Sequence, residues 1–141
     1  MLWKTICSQD PVPNAKSNPL GEGFNDLINQ VTTHPTLPLA ATAHEDQSIR
    51  FFDLNSGKCI HKMIGHLDSV SSVAIDPSGL YYITGGHDSS LRFWDIQTHS
   101  CIQEISSHRK KYDESIHSVG FHPSKTFVAT GGADAVIKVY Q

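Results

Sequence analysis

The chain repeats itself at a fixed spacing, and this internal repeat limits its fold more than any other feature. The segment ATAHEDQSIRFFDLNSGKCI at residues 41–60 returns as ITGGHDSSLRFWDIQTHSCI at 83–102, forty-two residues later. It returns again, in shorter form, as ATGGADAVIKVYQ at 129–141, after a step of forty-six. A chain with repeats of this length folds as an array of similar units, each too small to bury its apolar face alone.

Each unit has the pattern of four short strands separated by turns. Valine, isoleucine and threonine together number 29, against 9 leucines and 8 alanines, and branched side chains favour strands. In the second unit the pattern predicts strands at 69–75, 80–85, 91–96 and 101–105. Four strands in about 40–45 residues are typical of one blade of a β-propeller. We therefore expect an all-β fold: an irregular segment or linker at residues 1–24, then a partial propeller with blades at about 25–64, 65–106 and 107–141.

The last unit ends at Gln141, directly after its third strand. We therefore expect the last blade to lack its own outer strand. The alternation in LWKTICS at residues 2–8 allows that segment to supply it. Propellers typically have 4–8 blades, so three cannot close a ring. The missing blades are expected in the intact protein, as partners of these three.

Charge and composition exclude several classes of protein. Lysine and arginine number 11 against 14 acidic residues, so there is no basic excess for binding nucleic acid. No apolar run approaches the roughly 18–20 residues that cross a bilayer, so we expect no membrane insertion. Three cysteines without a CxxC pair suit reduced thiols, which predicts a cytoplasmic protein.

Gly65-His66, Asp88 and Trp94-Asp95 resemble WD repeats. In that family a histidine, a serine or threonine, an aspartate and a tryptophan form a hydrogen-bonded network within each blade. The resemblance implies such structural networks at His66, Thr84, Asp88 and Trp94 in the second unit and at His108, Thr130 and Asp134 in the third. The first unit has Phe24 and Phe52 at the histidine and tryptophan positions, so its network is expected to be broken.

Three segments resemble the C-terminal blades of the striatin family: HPTLP at 34–38, DPSGLY at 76–81 and HRKKYDESIHSVGFHPSKTFVATGGADA at 108–135. Members of that family are cytoplasmic scaffolds and regulatory subunits of protein phosphatase 2A in a kinase-containing complex. The resemblance implies a non-enzymatic scaffold without a cofactor, with phosphatase 2A subunits and kinases as partners. The family's coiled coil and its calmodulin- and caveolin-binding segments are not found in these residues. Another WD-repeat adaptor, such as a ubiquitin-ligase substrate receptor, is the alternative.

The step from 42 to 46 places about four extra residues between the second and third units. They fall in the stretch formed by Arg109, Lys110, Lys111, Tyr112, Asp113 and Glu114. Loops on a rigid scaffold carry binding residues more often than the strands do, so this stretch is a candidate partner surface. A plain solvated loop is the alternative interpretation.

Nine histidines raise the possibility of a metal hydrolase, the remaining alternative. Zinc sites need three or four ligands that converge on one point, whereas repeat-equivalent histidines lie in successive blades. A triad of Ser69, His66 and Asp68 would require three near neighbours in a loop to converge. Arg50, Arg92 and Lys138 are also in register, either as a ligand stripe or as repeated solvated edges.

Overall fold

The computed structural model describes residues 27–107 and 115–141, and within these ranges it contains strands and turns but no helix. Blade 1 consists of β1 (Ile28–Thr33), β2 (Leu39–His44), β3 (Ser48–Asp53) and β4 (Cys59–Ile64). Blade 2 consists of β5 (Val70–Ile75), β6 (Tyr81–Gly86), β7 (Ser90–Asp95) and β8 (Cys101–Ser106). Blade 3 consists of β9 (Ile116–Phe121), β10 (Val128–Gly132) and β11 (Ile137–Tyr140).

Each blade is an antiparallel sheet whose strands are paired in chain order. The predicted fold class, a partial all-β propeller of three blades with three strands in the last, is confirmed over the described residues. The four strands predicted for the second unit agree with β5 to β8 to within one residue at each end. The expected irregular segment at 1–24 and the stretch at 2–8 lie outside the described residues. The described residues contain no helix long and apolar enough to cross a membrane.

The repeated aspartate shapes the same hairpin in all three blades. The backbone amides of Ser48, Ser90 and Val136 each donate to the aspartate two residues earlier, over 3.1 Å in every case. The intervening residues Gln47, Ser89 and Ala135 have φ values of 68°, 63° and 59°. A left-handed residue other than glycine is costly, so the aspartate contact holds a turn that the local sequence does not favour.

The core lies between the blades, because each sheet has two apolar faces. Ile49 and Phe51 of blade 1 pack with Val73, Tyr82 and Trp94 of blade 2. A second cluster joins blade 2 to blade 3 through Ile83, Leu91, Ile116, Val119 and Val128. Tyr82 and Ile83 are adjacent in β6 and belong to different clusters, because successive strand residues point to opposite faces.

Hydrogen bonds between side chains and backbone join the inner strands β1, β5 and β9 of successive blades. The Gln30 side-chain oxygen accepts the Val73 amide over 3.0 Å and also accepts the Ser72 hydroxyl. The Ser72 hydroxyl oxygen in turn accepts the Val119 amide over 3.0 Å. These contacts run from one inner strand to the next and hold successive blades together.

Candidate functional site

Four side chains of blade 2 form a continuous chain of hydrogen bonds through its interior. The Trp94 indole N–H donates to the Thr84 hydroxyl oxygen over 2.9 Å, and this oxygen lies 2.7 Å from Nε2 of His66. On the other side of the imidazole ring, Nδ1 lies 3.0 Å from a carboxylate oxygen of Asp88. His66, Thr84 and Trp94 are buried. The structure thus brings together the four residues that the resemblance assigned to the second repeat.

One placement of the hydrogens satisfies every member of this chain. An indole nitrogen only donates and a carboxylate only accepts, so Nδ1 of His66 donates to Asp88 and Nε2 accepts the Thr84 hydroxyl hydrogen. Burial by itself would raise the pKa of the Asp88 carboxyl. Hydrogen bonds from His66, from the Leu67 amide and from Ser90 nevertheless hold this pKa well below its ordinary value. Asp88 therefore stays ionised, and it ties the loop before β5 to the β6–β7 hairpin.

Two of the three cations that are in register, Arg50 and Arg92, form ion pairs with the repeated aspartate of their own blade. Arg50 Nη2 lies 2.8 Å from a carboxylate oxygen of Asp46, and Arg92 Nη2 lies 3.9 Å from Asp88. Arg92 also donates to the Gly65 carbonyl, at the start of the loop that carries His66. Both guanidinium groups form their contacts within their own blades, so they fit neither the predicted ligand stripe nor the predicted solvated edge. Lys138, at the third position, is partly exposed.

Blade 1 supplies a histidine to its threonine from a different backbone position. Nε2 of His44 lies 2.8 Å from the Thr42 hydroxyl oxygen, and His44 is buried. His44 occupies the register position of Gly86 in blade 2. A Cβ atom at Gly86 would lie 2.5 Å from Nδ1 of His66. The space beside the threonine is thus filled in both blades by an imidazole ring. In blade 1 the ring belongs to a residue of β2, and in blade 2 it belongs to a residue of the loop before β5.

This exchange bears on one expectation about the first unit. The network of the first unit was expected to be broken; Thr42 has a histidine partner in His44, while Phe52 at the tryptophan position offers no N–H donor. The signal was present in the repeat register, where a histidine stands opposite a glycine. The expectation took account only of a histidine before the first strand of the repeat. Phe24, the residue expected at that position, lies outside the described residues.

In blade 3 the described part of the chain contains only some of the assigned residues. Thr130 is buried and Asp134 holds the β10–β11 hairpin, as described above. Tyr140, at the tryptophan position, forms a hydrogen bond between its hydroxyl and that of Ser107, the residue directly after β8. His108 lies outside the described residues, and so do all six residues proposed as the partner surface: Arg109, Lys110, Lys111, Tyr112, Asp113 and Glu114.

The candidate hydrolase residues do not form a triad. The Ser69 hydroxyl donates to a carboxylate oxygen of Glu45 over 2.7 Å, and both nitrogens of His66 are engaged by Asp88 and Thr84. Over residues 27–107 and 115–141, no group of three or more histidine, cysteine, aspartate or glutamate side chains is placed to hold a metal ion. Two other histidines close turns. His34 accepts the Leu37 amide over 2.9 Å, and His122 accepts the Lys125 amide over 3.1 Å.

A cavity of about 800 Å³ opens between blades 2 and 3, where no sequence motif indicated one. Its apolar lining includes Phe93, Ile105, Phe121, Val128 and Tyr140. Between blades 1 and 2 the corresponding space is filled: Tyr82 stands at the register position of Val128, and the imidazole rings of His61 and His99 stack 4.0 Å apart. The cavity is large enough to take a partner's apolar side chains.

Comparison with known families accounts for this architecture. The family described as "WD domain, G-beta repeat" matches residues 57–95 and 99–141. The chain belongs to the WD-repeat family. Each matched stretch begins with the fourth strand of one blade and ends with the third strand of the next. A WD repeat of the sequence is therefore offset by one strand from a blade. Each repeat contains the fourth strand of one blade and the first three strands of the next.

The relatives of this WD-repeat chain include striatins from distant organisms. Striatin of Homo sapiens is 56% identical over 113 residues, which cover 80% of this chain and 14% of that protein. Striatin-3 of Bos taurus is 56% identical over 140 residues, covering 99% of this chain and 18% of the relative. The striatin homolog of Dictyostelium discoideum is 56% identical over 112 residues, covering 79% and 14%. The predicted resemblance is confirmed: these WD repeats are of the striatin family's WD-repeat region.

The chain spans less than a fifth of the length of these relatives. Among solved structures, the crystal structure of RRP9 WD40 repeats superimposes with a TM-score of 0.75 at 21% identity. That match covers 84% of this chain and 36% of the other. At this level of identity the likeness concerns the fold alone.

Proposed function

We propose that this WD-repeat chain is part of a non-enzymatic scaffold of the striatin type, a regulatory subunit that places protein phosphatase 2A near kinases and substrates. The observation that carries the proposal is the 56% identity to striatins over most of the chain. The structure of the described residues agrees with a binding role. The polar networks are engaged within and between blades, so the loops and surfaces that remain exposed are the parts available to partners. The proposal includes a cytoplasmic location, which suits the exposed free thiols of Cys59 and Cys101.

The loop with the extra residues is the proposed contact with a partner. Both of its ends are fixed to hairpins: the Ser107 amide donates to the Ser89 carbonyl over 3.0 Å, and the Ala133 amide donates to the Ser115 carbonyl over 2.9 Å. The described residues on either side of the 109–114 stretch are therefore held by hydrogen bonds to β-hairpins. The three cations, one tyrosine and two carboxylates of this stretch supply the arginine and aromatic side chains that are common at binding hot spots.

The test is affinity purification with mass spectrometry of the tagged chain expressed in cells. We expect phosphatase 2A subunits and kinases to be recovered with the wild-type chain. Replacing Arg109, Lys111 and Tyr112 together by alanine should reduce recovery of at least one partner and leave the melting temperature unchanged. The matched control replaces the exposed Asn55 and Lys58 by alanine in the β3–β4 turn, away from the cavity, and should keep the full partner set.

Two results would contradict the proposal at different levels. Recovery of ubiquitin-ligase subunits instead of phosphatase subunits would favour the alternative adaptor and reject the phosphatase complex. An unchanged partner set for the triple variant would reject the loop as a contact while leaving the scaffold role in place. Metal analysis of the purified chain addresses the hydrolase alternative, since a stoichiometric zinc content would support it.

A further inference from the structure

A pair of stacked imidazole rings closes the outer part of the contact between blades 1 and 2. The ring of His61, in β4, lies parallel to the ring of His99, in the β7–β8 turn, with ring centres 4.0 Å apart and an interplanar angle of 9°. The centre of the His99 ring also lies 4.6 Å from that of Phe51 and 6.3 Å from that of Tyr82. Phe51 and Tyr82 are fully buried, so the pair covers two core rings of this interface.

The β7–β8 turn has a histidine where the same turn of blade 1 has a glycine. Gly57 and His99 stand at one register position, and their φ values are 72° and 52°. Their amides donate to the carbonyls of Asp53 and Asp95 over 2.8 Å and 2.9 Å, so the two turns share one backbone hydrogen bond. A left-handed φ favours glycine and strains a histidine. The turn therefore does not require an imidazole, and what the imidazole adds is the contact across the interface.

His61 is also replaced at the equivalent position of the next blade. Gln103 of β8 stands at its register position. Glutamine does not titrate, so the pair of imidazoles belongs to the contact between blades 1 and 2 and is not a general feature of the repeat. The repeat also shows which residues the fold accepts at these two positions: glutamine in the outer strand and glycine in the turn.

The surroundings of the pair favour uncharged rings. Nδ1 of His99 is buried and has no hydrogen-bond partner among the described residues. A protonated imidazole carries a hydrogen on both nitrogens, so the cation would bury an N–H group without an acceptor. Burial lowers the pKa of His99, and the neighbouring His61 lowers it further, whereas Asp95 raises it.

Two titratable groups of blade 2 face the pair from β6 and from the end of β7. Asp95 opposes the effect of burial, but its carboxylate is already engaged by the amides of Gln97 and Thr98 over 2.7 Å and 3.0 Å. Tyr82 stays uncharged near neutral pH, because burial raises the pKa of its hydroxyl. Neither group places a free negative charge against the stacked rings.

The remaining charged and titratable groups lie on the outer strands and the turn beside them. Lys62 follows His61 in β4, on the opposite face of the sheet, and pairs with Asp46 over 3.1 Å. Lys58, in the β3–β4 turn, is exposed. The thiols of Cys59 and Cys101 are exposed at the start of β4 and β8.

We propose that His61 and His99 form a pH-sensitive contact between blades 1 and 2, which is closed while both imidazoles are neutral and opens when one of them takes a proton from solvent. A charged ring moves toward water, so the stack is lost and the rings of Phe51 and Tyr82 become accessible. A second proton would place two like charges side by side, which repel each other. The proposal does not depend on the scaffold function or on phosphatase binding.

The direction of the pH dependence follows from the lowered pKa of His99. The unfolded chain takes up this proton at a higher pH than the folded chain does. The stability that the pair contributes is therefore complete above the ordinary histidine pKa of 6.5 and is lost as the pH falls below it.

The test compares urea unfolding of the purified chain at about pH 7.5 and at about pH 5.5. The variants are His61→Gln and His99→Gly, which use the residues found at these register positions in the other blade. We expect the unfolding midpoint to fall less between the two pH values in each variant than in the wild type. His117→Gln is the matched control, because His117 is an exposed imidazole of β9 whose ring contact is with His87, and it should keep the wild-type fall. An equal fall in the wild type and both variants would overturn the proposal.

Nuclear magnetic resonance of the imidazole signals tests the opening in the folded chain. The pKa of His99 should lie below 6.5 in the wild type and closer to 6.5 in His61→Gln. Cross-relaxation between the two rings should be present at about pH 7.5 and absent at about pH 5.5. A His99 pKa above 6.5 would show that the rings of Phe51 and Tyr82 stabilise the cation, and this would overturn the proposal. Cross-relaxation that persists after protonation would overturn it as well.

Discussion

Replacing Asp88 by alanine should destabilise the chain much more than replacing Asp46 by alanine. The two aspartates occupy the same hairpin position and accept the same backbone amide, over 3.1 Å in each case. They differ in what else they hold. The Asp88 side chain is 8% exposed and accepts Nδ1–H of the fully buried His66, whereas the Asp46 side chain is 25% exposed and pairs with Arg50 and with the half-exposed Lys62.

The magnitude follows from which donors lose their acceptor. In Asp88→Ala the buried His66 Nδ1–H keeps only the Ser90 hydroxyl nearby, and the amides of Leu67 and Ser90 lose a charged acceptor. An unsatisfied buried group costs about 1–3 kcal/mol, so we expect a loss of about 2–4 kcal/mol for the set. In Asp46→Ala the half-exposed Lys62 reaches water, Arg50 keeps the Ser48 hydroxyl as a partner, and an ion pair near the surface contributes about 0–1 kcal/mol. With the lost turn contact, the expected cost is about 1–2 kcal/mol.

Urea unfolding at one fixed protein concentration, followed by tryptophan fluorescence and circular dichroism, measures both losses. Fixed concentration is needed because association would add to the apparent stability. Asp88→Asn serves as a second variant, since the amide keeps the shape of the side chain and one acceptor oxygen and should recover part of the loss. Equal losses at positions 46 and 88 would refute the reasoning, because they would show that the hairpin contact alone accounts for the repeated aspartate.

Three further outcomes are expected. Gly86→Ala should cost about 1–3 kcal/mol of unfolding free energy because its Cβ would meet His66 and Asp88, whereas Gly131→Ala, with nothing within 4 Å, should cost nothing; equal urea midpoints would contradict this. Trp94→Ala should cost about 3–5 kcal/mol by removing a buried ring, while Trp94→Phe should lose less because part of the ring remains, which the same titration checks. The pKa values of Asp46 and Asp88 are lowered in the folded state, so their contribution should be complete above their ordinary pKa of 3.8 and decrease as the pH falls below it. Melting temperatures from pH 7 to about pH 2 would show this decrease, and a smaller decrease in Asp88→Asn than in the wild type would assign part of it to Asp88.

The propeller blade could be predicted because its signals are local and repeated. Strand positions follow from alternating branched residues, and the hairpins follow from an aspartate that can accept the amide two residues ahead. The register between repeats then places His66, Thr84, Asp88 and Trp94 in one blade, even though His66 and Trp94 are 28 residues apart. Residues that are far apart in the chain can be assigned to one network because the same spacing between them occurs in each repeat.

The repeat register places His44 of blade 1 opposite Gly86 of blade 2, but the register does not show that this side chain fills the space that His66 fills in blade 2. Whether an imidazole enters from the strand, as at His44, or from the loop, as at His66, depends on which backbone position leaves room. That room is set by the absence of a Cβ at Gly86, which lies next to a ring twenty residues away in the chain. The order of residue types along the chain does not specify the distance between Gly86 and the His66 ring.

The sequence by itself determined the all-β class, the period of the blades, the hairpins and most members of the polar network, because these depend on spacing within one unit. The tertiary structure decided how units meet: the cavity beside Val128 between blades 2 and 3, and the burial of Val73 and Leu91 at contacts between blades. Strand alternation fixes which side of a sheet a residue faces. Whether that side is covered depends on the volume and position of side chains in another blade, and only the packed structure specifies these.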